Sequence, residues 1–466
     1  MVERMTSVAR RGLQVLVLGL VALFLVPGAV ALTVKEDDFA PFVVSALQPA
    51  DAVPGEYLVQ FREAPSWEWI RADLAGAGIQ IVREFRETGL AQVKIPEAGR
   101  ERILDWIAAR PDVEFIEPNY IFRIATAPND PLFPQLWGLD NTGQTGGTSD
   151  ADIDAPEAWT VTTGTGNGPL VAIVDTGVDY THPDLAANIW TNPGEIPGNG
   201  IDDDGNGYVD DVHGWNAIAN GGDPMDDNGH GTHCAGTIGG VGNNGIGVAG
   251  VNWHTQIVAC KFLDKNGAGS LGNAVTCINY LNTLIDHGVP VRVASYSWGA
   301  LTGPASLKNA INRQRSRGVL VAAAAGNSNV NMDRRLFRFY PASYALDNII
   351  SVGATDSRDN RASFSNYGKT YVDLGAPGVD IWSTVPPVVA GATCMTTGGC
   401  YASFSGTSMA TPHVAGTAAL YLSINPTASY AAVKSRILNG VDKKPSLANY
   451  FATGGRLNAY RTITGV

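Results

Sequence analysis

The sequence predicts an α/β protein in which a three-layer parallel β-sheet, flanked by helices, follows a small α+β unit. From Asn129 onward, short and continuously apolar segments alternate with helical ones, which is typical of a parallel sheet covered on both faces. Residues 53–123 instead show alternating strand patterns around two helices. A hydrophobic content of 45% with 16% charged residues, in a chain of 466, fits more than one well-packed unit.

The first 31 residues have the features of a secretory signal peptide. Three arginines precede an apolar run from Leu13 to Val26 and the small-residue triplet Ala29-Val30-Ala31. A membrane anchor is the alternative, but the run is shorter than the roughly 20 residues that a spanning helix needs. We therefore expect an exported chain, with residues 32–52 as a linker.

The small unit is predicted to alternate two helices with four strands. Its strands alternate apolar and polar residues, and the predicted elements are Gly55–Phe61, Trp67–Ala77, Ile79–Phe85, Leu90–Ile95, Arg100–Ala109 and Val113–Pro118. The unit has no cluster of catalytic residue types. We expect it to bind or to assist folding rather than to catalyse.

The large unit, residues 129–466, carries the parallel sheet. Its predicted strands are Leu170–Val174, Gln256–Leu263, Val291–Tyr296, Val319–Ala325 and Ile349–Val352. Its predicted helices are Gly231–Gly239, Leu271–Asp286, Ala305–Arg317, Met409–Ile424 and Ala428–Asn439. Sites in such sheets lie beyond the carboxyl ends of the strands, which directs attention to the residues that follow each strand.

Three residues of types used in nucleophilic catalysis occupy suitable positions. Asp175 directly follows the first apolar strand, His230 lies between two glycines, and Ser408 lies at a helix start, where backbone N–H groups are free. Each has a structural alternative, namely an acidic turn residue, a structural histidine and a helix cap. Asp, His, Ser is one of the known chain orders of a catalytic triad and favours the catalytic interpretation.

Three motifs carry a resemblance to a known family. They are V-A-I-V-D-T-G-V-D around residue 175, H-G-T-H-C-A-G from residue 230, and G-T-S-M-A-T-P-H-V-A-G from residue 406. From residue 129 to about residue 463 the chain resembles the subtilisin-like (subtilase) serine endopeptidases, with a cysteine-containing histidine motif similar to the thermitase and proteinase K branches. The resemblance implies that Ser408 is the nucleophile, His230 the general base, Asp175 its orienting carboxylate and Asn327 an oxyanion donor.

The resemblance also implies a polypeptide substrate that binds as an extended, added strand. The segments matching the family's binding edges and pocket walls are Gly267-Ala268-Gly269, Ser297-Trp298-Gly299 and Ala324-Ala325-Gly326. Phe339 is a departure, because the family often has a small residue before the Tyr-Pro that follows it here. We expect a shortened pocket that favours small or medium side chains before the cleaved bond.

The acidic loop from residue 202 to residue 211 is the segment of the chain that most resembles an ion-binding loop. Its spacing resembles the first nine positions of an EF-hand loop, with candidate calcium ligands Asp202, Asp204, Asn206, Tyr208 and Asp210. Position twelve is His213 rather than glutamate and no helices flank the loop, so the match is partial. A solvated acidic loop is the alternative, but repulsion among so many carboxylates favours bound Ca²⁺.

A second calcium site is implied by the family resemblance alone. Its matching residues are the side chains of Asp130, Asp184 and Asn244 and the backbone carbonyls of Val241, Ile246 and Val248. Asp223, Asp226 and Asp227, just before His230, are a further candidate, with a solvated loop as the alternative.

Five cysteines in an exported chain allow two disulfides and one free thiol. Cys394 and Cys400 lie six residues apart in a Gly/Thr-rich insertion, which suits a hairpin-closing disulfide. Cys260 on a predicted strand and Cys277 on the next helix could form the other. Cys234 would then be a buried free thiol, packed as a small residue rather than acting as a second nucleophile.

These features predict a secreted, calcium-stabilised serine endopeptidase made as a preproenzyme. By resemblance, residues 53–123 are an inhibitory propeptide that assists folding and occupies the cleft, and residues 124–128 hold the processing junction. The net charge of −12 argues against a nucleic-acid partner; no membrane contact is expected after signal removal, and we expect a monomer. The rivals are an inactive calcium-binding protein on the same scaffold, which would have lost part of the site, and an esterase, which would need a G-x-S-x-G motif.

Overall fold

The computed structural model describes residues 52–62, 65–120, 127–396 and 399–465. The described residues form two compact units, one from Ala52 to Asn119 and one from Tyr120 onward. The predicted signal peptide, nearly all of the predicted linker and most of the predicted junction lie outside the described residues. None of the described helices has the length and apolar character needed to cross a membrane.

The small unit is a four-stranded sheet with two helices. In chain order its elements are β1 (Ala52–Phe61), α1 (Trp67–Gly76), β2 (Gln80–Phe85), β3 (Leu90–Lys94), α2 (Arg100–Ala108) and β4 (Val113–Tyr120). The strand order is β2-β3-β1-β4, with β3 antiparallel to both of its neighbours. Tyr57, Val59 and Phe61 alternate into one buried face of β1 and share a core with Ile70 and Leu74 of α1. The predicted order of elements is confirmed, with ends shifted by one to three residues.

The large unit is built on a nine-stranded sheet. The strands of the large unit, of which β12, β13 and β14 belong to a second sheet, are in chain order β5 (Leu170–Asp175), β6 (Gly214–Asn216), β7 (Gln256–Lys261), β8 (Val291–Tyr296), β9 (Leu320–Ala324), β10 (Ile349–Thr355), β11 (Leu374–Pro377), β12 (Ile381–Val385), β13 (Thr393–Cys394), β14 (Cys400–Phe404), β15 (Asp442–Lys443) and β16 (Gly455–Arg456). The nine-stranded sheet has the order β15-β16-β11-β10-β9-β8-β5-β7-β6 and is parallel except for the edge pair β15–β16.

Helices cover both faces of this sheet, as predicted. They are α3 (Ala155–Trp159), α4 (His230–Gly239), α5 (Leu271–Asp286), α6 (Ala305–Ser316), α7 (Thr407–Ile424), α8 (Tyr430–Asn439) and α9 (Ala459–Thr464). Alternate residues of β5 point to opposite layers: Val171 and Ile173 pack with α4 and α7, whereas Ala172 and Val174 pack with α5 and α6. A strand buried on both faces must be apolar throughout, which is why β5 reads as a continuous hydrophobic run.

A second, three-stranded antiparallel sheet of order β12-β14-β13 leads directly into α7. The sequence analysis missed it because its buried positions include hydroxyl side chains. Ser383 and Thr384 are fully buried and donate to backbone carbonyls of α4, those of His233 at 2.7 Å and Thr232 at 2.8 Å. These hydrogen bonds attach α4 to the strands that precede α7.

Candidate active site

Strand β5 brings Asp175 to the carboxyl edge of the sheet. The side chain is 1% exposed, and its Oδ1 accepts from the backbone N–H of Thr176 at 2.8 Å. The Asp175 carbonyl accepts from Phe262 and Leu263, just beyond β7, at 3.0 and 3.2 Å. The position of this carboxylate is therefore set by backbone contacts on both sides.

Helix α4 begins at His230 and packs unusually close to β5. A Cβ atom on Gly231 would lie 2.1 Å from the Gly177 carbonyl oxygen, so only glycine permits this approach. The Gly231 N–H donates to Thr176 Oγ1 at 2.9 Å. These contacts bring the start of α4 to the residue that follows Asp175.

The approach places His230 Nδ1 2.7 Å from Asp175 Oδ1. Burial opposes protonation of the imidazole, but the charge of Asp175 and the hydrogen bond to it outweigh burial and raise the pKa of His230. With Nδ1 donating to the carboxylate, Nε2 of the neutral ring is free to accept a proton. The pair has the arrangement of a general base held by a carboxylate.

The loop before α4 is held by carboxylates rather than left to solvent. Asp226 accepts from the N–H groups of Asn228, Gly229 and Thr232 and from the Thr232 hydroxyl. Asp227 pairs with Lys261 at 2.6 Å, and Asp223 accepts from the Tyr180 hydroxyl at 3.1 Å. The three carboxylates thus have separate protein partners, which gives no support to the further ion considered for this loop.

Lys261 is a functional candidate that the sequence analysis missed. Its ammonium group is almost buried at the end of β7 and donates to the carbonyls of Thr176 at 2.5 Å and Leu263 at 3.0 Å, besides Asp227. It therefore joins the residue after Asp175 to the loop that leads to His230. A lysine ending an otherwise apolar strand is the sequence signal that could have identified it.

Ser408 is the second residue of α7 and lies close to the Asp175–His230 pair. Its carbonyl accepts from the Ser297 hydroxyl at 2.9 Å and lies 3.5 Å from Cys234 Sγ. Cys234 in turn clusters with Asp175 and His230, with side-chain atoms within 4.8 Å of one another. The Ser408 hydroxyl donates to the Ser297 carbonyl at 2.8 Å, so its proton is directed to this strand end rather than to the imidazole.

Asn327 follows strand β9 and is held beside the serine. Its Oδ1 accepts from both the N–H and the hydroxyl of Thr407, each at 2.9 Å. Its Nδ2 lies beside Gly406, where an added Cβ would come within 3.2 Å. Because Oδ1 is occupied, the amide N–H groups are the ones available to an oxyanion. Thr407, which the sequence analysis did not single out, fixes this orientation.

Two of the three predicted substrate-binding segments lie against Phe339. An added Cβ would come within 2.4 Å of the Phe339 ring from Gly299 and 3.1 Å from Gly326. A cavity of about 340 Å³ is lined by residues of the third segment, Gly267, Ala268 and Gly269, together with Trp298 and Gly299. The Phe339 ring therefore fills space between the walls formed by Ser297–Gly299 and Ala324–Gly326.

The acidic loop gathers part of its predicted ligand set. Asp202 and Asp204 cluster with Glu195, a residue the sequence analysis missed, with carboxylate oxygens within 4.8 Å of one another. Asp210 lies outside this cluster, and its carboxylate accepts from the N–H groups of Asn199 and Gly200 at 3.1 and 2.9 Å. Asn206 Oδ1 likewise accepts from the N–H of Tyr208 at 2.7 Å. Glu195 is remote from the EF-hand-like run, so spacing within that run could not indicate it.

The second predicted calcium site is a loop wrapped around two buried carboxylates. Asp184 accepts from Asn244 Nδ2 at 2.7 Å and from the Val248 N–H at 2.9 Å, and its carbonyl accepts from the Val241 N–H. Asp130 accepts from the N–H groups of Asn243 and Asn244. Burial raises the pKa of Asp184 to about 7. Two buried carboxylates without an ion-pair partner among the described residues fit a divalent cation bound by oxygen ligands.

Four cysteines form two disulfides. Cys260 on β7 and Cys277 on α5 are joined at 2.10 Å, and Cys394 and Cys400 are joined at 2.05 Å across β13 and β14. Cys234 is left as a buried free thiol. Burial raises the pKa of Cys234 well above its ordinary value, so it is a neutral thiol rather than a second nucleophile.

Comparison with known proteins gives a family match for each unit. A family model of the subtilase family matches residues 166–455, and a model of the fervidolysin N-terminal prodomain matches residues 39–119. A thermophilic serine proteinase from a Bacillus species is 36% identical over 414 residues, covering 88% of each chain. Thermitase from Thermoactinomyces vulgaris is 38% identical over 72% of this chain and 99% of its own.

A solved structure of a protease from Pseudoalteromonas arctica is also similar. It is 27% identical, with a TM-score of 0.57, and covers 73% of this chain and 99% of its own. The family match includes all three motifs, and the fold has the parallel sheet and flanking helices that they require. The chain therefore belongs to the subtilase family and is a subtilisin-like serine protease with an N-terminal prodomain.

Proposed function

We propose that the protein is a secreted, calcium-stabilised endopeptidase whose catalytic residues are Asp175, His230, Ser408 and Asn327. The observation that carries the proposal is the 2.7 Å hydrogen bond between His230 Nδ1 and Asp175, formed beside the start of the Ser408 helix. Ser408 Oγ attacks the scissile carbonyl while His230 takes its proton and gives it to the leaving amine. Water then releases the acyl group by the same steps in reverse.

Charge in each tetrahedral intermediate is stabilised by hydrogen bonds. Asn327 Nδ2 and the backbone N–H of Ser408 donate to the oxyanion, while ionised Asp175 stabilises the imidazolium of His230. The Ser408 hydroxyl must first leave the Ser297 carbonyl, to which it donates at 2.8 Å, and turn toward His230. Loose catalytic hydrogen bonds before substrate binding are common in serine hydrolases.

Casein cleavage tests the proposal against the rival of an inactive scaffold. We expect the mature chain to cleave casein, and a serine-reactive inhibitor that modifies Ser408 to abolish the cleavage. Mass analysis of the inhibited protein identifies the modified residue. Failure of purified, folded protein to cleave casein or any peptide of a mixed library would favour the inactive calcium-binding protein.

Replacing Asn327 by alanine is expected to lower kcat about 10²- to 10³-fold with little change in KM. The size is that measured for the corresponding loss in subtilisin, a member of this family, where the donor acts mainly in the transition state. Steady-state kinetics on a peptide substrate measure it, and Ser328→Ala is the neighbouring control. A raised KM with unchanged kcat would instead assign Asn327 to ground-state binding.

Phe339 supports a preference for small or medium side chains before the cleaved bond, because its ring lies between the two predicted pocket walls. Replacing Phe339 by glycine is expected to raise kcat/KM for aromatic residues there, relative to alanine, about 10- to 100-fold. A peptide series varied only at this position measures the ratio, with Phe337→Gly as control. A strong aromatic preference of the unchanged enzyme would refute the shortened pocket.

We propose two structural calcium sites, one formed by Asp130, Asp184 and the loop 241–248, and one by Glu195, Asp202 and Asp204. A bound calcium ion supplies positive charge that offsets the repulsion among these carboxylates and links separate loops. Because calcium binds only the folded chain, it stabilises that state by about 2.7 kcal/mol at one hundred times Kd.

Removal of calcium with a chelator is therefore expected to lower the unfolding temperature. Calorimetry on the inhibited enzyme, with and without calcium, measures the shift. Magnesium should restore little of the loss, because it requires a tighter octahedral site. An unfolding temperature that is the same with calcium and with chelator would contradict both sites.

The prodomain supports the proposed maturation of the enzyme. We infer that residues 53–123 assist folding and inhibit the catalytic unit, and that cleavage between residues 124 and 128 releases them. Export is supported by the signal-like first 31 residues and by two disulfides, which persist in oxidising compartments.

A further inference from the structure

Tyr401 connects the disulfide hairpin to the loop around Asp184. It follows Cys400 in β14, is 0% exposed, and packs so tightly on Gly247 that an added Cβ there would lie 2.0 Å from its hydroxyl oxygen. Gly247 lies between Ile246 and Val248, whose carbonyls are among the proposed calcium ligands. The phenol therefore reaches the ligand loop itself.

The Tyr401 hydroxyl is buried, and the Asp184 carboxylate is the acceptor with which it interacts. Its surroundings are anionic, because the carboxylates of Asp184 and Asp130 lie nearby, and a phenol carries a proton that it can donate to one of them. Such a group beside two carboxylates is suited to hold one of them in place.

His182 forms a second connection between the same two parts. Its Nδ1 accepts from the Asp184 N–H at 3.1 Å, and its Nε2 lies against the Cys400 backbone, 3.1 Å from the carbonyl oxygen and 3.2 Å from the N–H nitrogen. Its ring lies edge-on to that of Tyr401, with centroids 5.3 Å apart. Asp184 is thus joined to Cys400 both through His182 and through Tyr401.

We propose that Tyr401 is a positioning residue of the calcium site, whose hydroxyl fixes Asp184 as a ligand and whose place depends on the Cys394–Cys400 disulfide. Calcium affinity at this site then depends on the redox state of the hairpin. Cys394 is exposed whereas Cys260 and Cys277 are fully buried, so a mild reductant reaches this disulfide first. The inference rests on the calcium site proposed above and goes beyond it.

Calcium titration by calorimetry tests the inference in the full chain carrying Ser408→Ala, which prevents self-digestion. Asp184→Asn first identifies the binding phase that belongs to this site. Tyr401→Phe keeps the ring and is expected to weaken that phase 10- to 100-fold, the usual effect of losing a partner of a metal ligand. Tyr296→Phe is the matched control, since Tyr296 is equally buried but bonds to Gln314 at 2.7 Å.

The disulfide is tested by Cys394→Ser with Cys400→Ser, or by mild reduction of the folded chain if that double variant does not fold. Either change is expected to weaken the same phase at least several-fold. If Asp184→Asn removes no phase, the calcium site itself is wrong and the inference is overturned with it. If the phase exists but Tyr401→Phe leaves its affinity unchanged, only the role of Tyr401 is refuted. A weaker phase in Tyr401→Phe with no effect of reduction would refute the dependence on the disulfide.

Discussion

Replacing Ser408 by alanine is expected to lower kcat about 10⁶-fold and to leave the prodomain attached. The size is that found for the same change in subtilisin, because the base and carboxylate contribute little once the nucleophile is absent. Residual hydrolysis by the oxyanion donors and by binding should remain measurable. Gel analysis of the purified chain measures the second effect, and steady-state kinetics on a peptide, after an added protease has removed the prodomain, measure the first.

Ser405→Ala is a suitable control for this variant. Ser405 lies three residues away, on the same approach to α7, and its hydroxyl donates to Asp380 rather than facing the site. The control should mature and cleave peptides normally. Maturation of the Ser408→Ala chain in the absence of any other protease would show that processing is not autocatalytic.

Replacing Asp175 by asparagine is expected to lower kcat about 10⁴-fold at neutral pH. Asparagine can offer its N–H₂ group to His230 and so favour the wrong tautomer, and it cannot stabilise the imidazolium; losses of this size are known for this residue in subtilisin and in unrelated serine proteases. Kinetics on freshly processed enzyme measure the loss. Asp223→Asn removes the same charge from the loop before His230 and should leave kcat nearly unchanged.

The pH dependence gives this prediction a second readout. The proposed mechanism needs neutral His230, and Asp175 raises the pKa of His230, so we expect kcat/KM of the unchanged enzyme to fall as pH drops through that raised value. Without the carboxylate the pKa of His230 falls, and the acid limb should move to lower pH. An acid limb that does not move in Asp175→Asn would indicate that another group titrates.

Much of this architecture was predictable from local pattern. Strand β5 is buried on both faces and must be apolar throughout, so it appears in the sequence as a continuous apolar run. The close approach of α4 requires glycine at position 231, and that residue is part of the histidine motif. The sheet β12–β14 was not predicted, because its buried Ser383 and Thr384 are satisfied by carbonyls of a helix 150 residues earlier in the chain. Hydrogen bonds between residues so far apart in the chain cannot be inferred from a local sequence pattern.

The candidate site shows the same division. Asp175, His230 and Ser408 lie in motifs, whereas Glu195, Lys261 and Thr407 act through neighbours that the linear sequence does not indicate. The acidic loop illustrates the difference: alternate spacing indicates Asp202, Asp204 and Asp210, whereas the folded loop groups Asp202 and Asp204 with Glu195. The direction of the Ser408 hydroxyl is likewise a property of the folded site.

The close contact of Gly231 with Gly177 affects the entropy that is lost in each catalytic cycle. The residue after Asp175 is held to the start of α4, because the Gly231 N–H donates to Thr176 Oγ1 and Lys261 donates to the Thr176 carbonyl. The imidazole of His230 and the carboxylate of Asp175 are therefore already in contact before substrate binds. The conformational entropy of bringing these two side chains together is lost once, when the chain folds, and not again at every turnover. An enzyme preorganised in this way should keep its imidazole in place even when Asp175 itself is replaced.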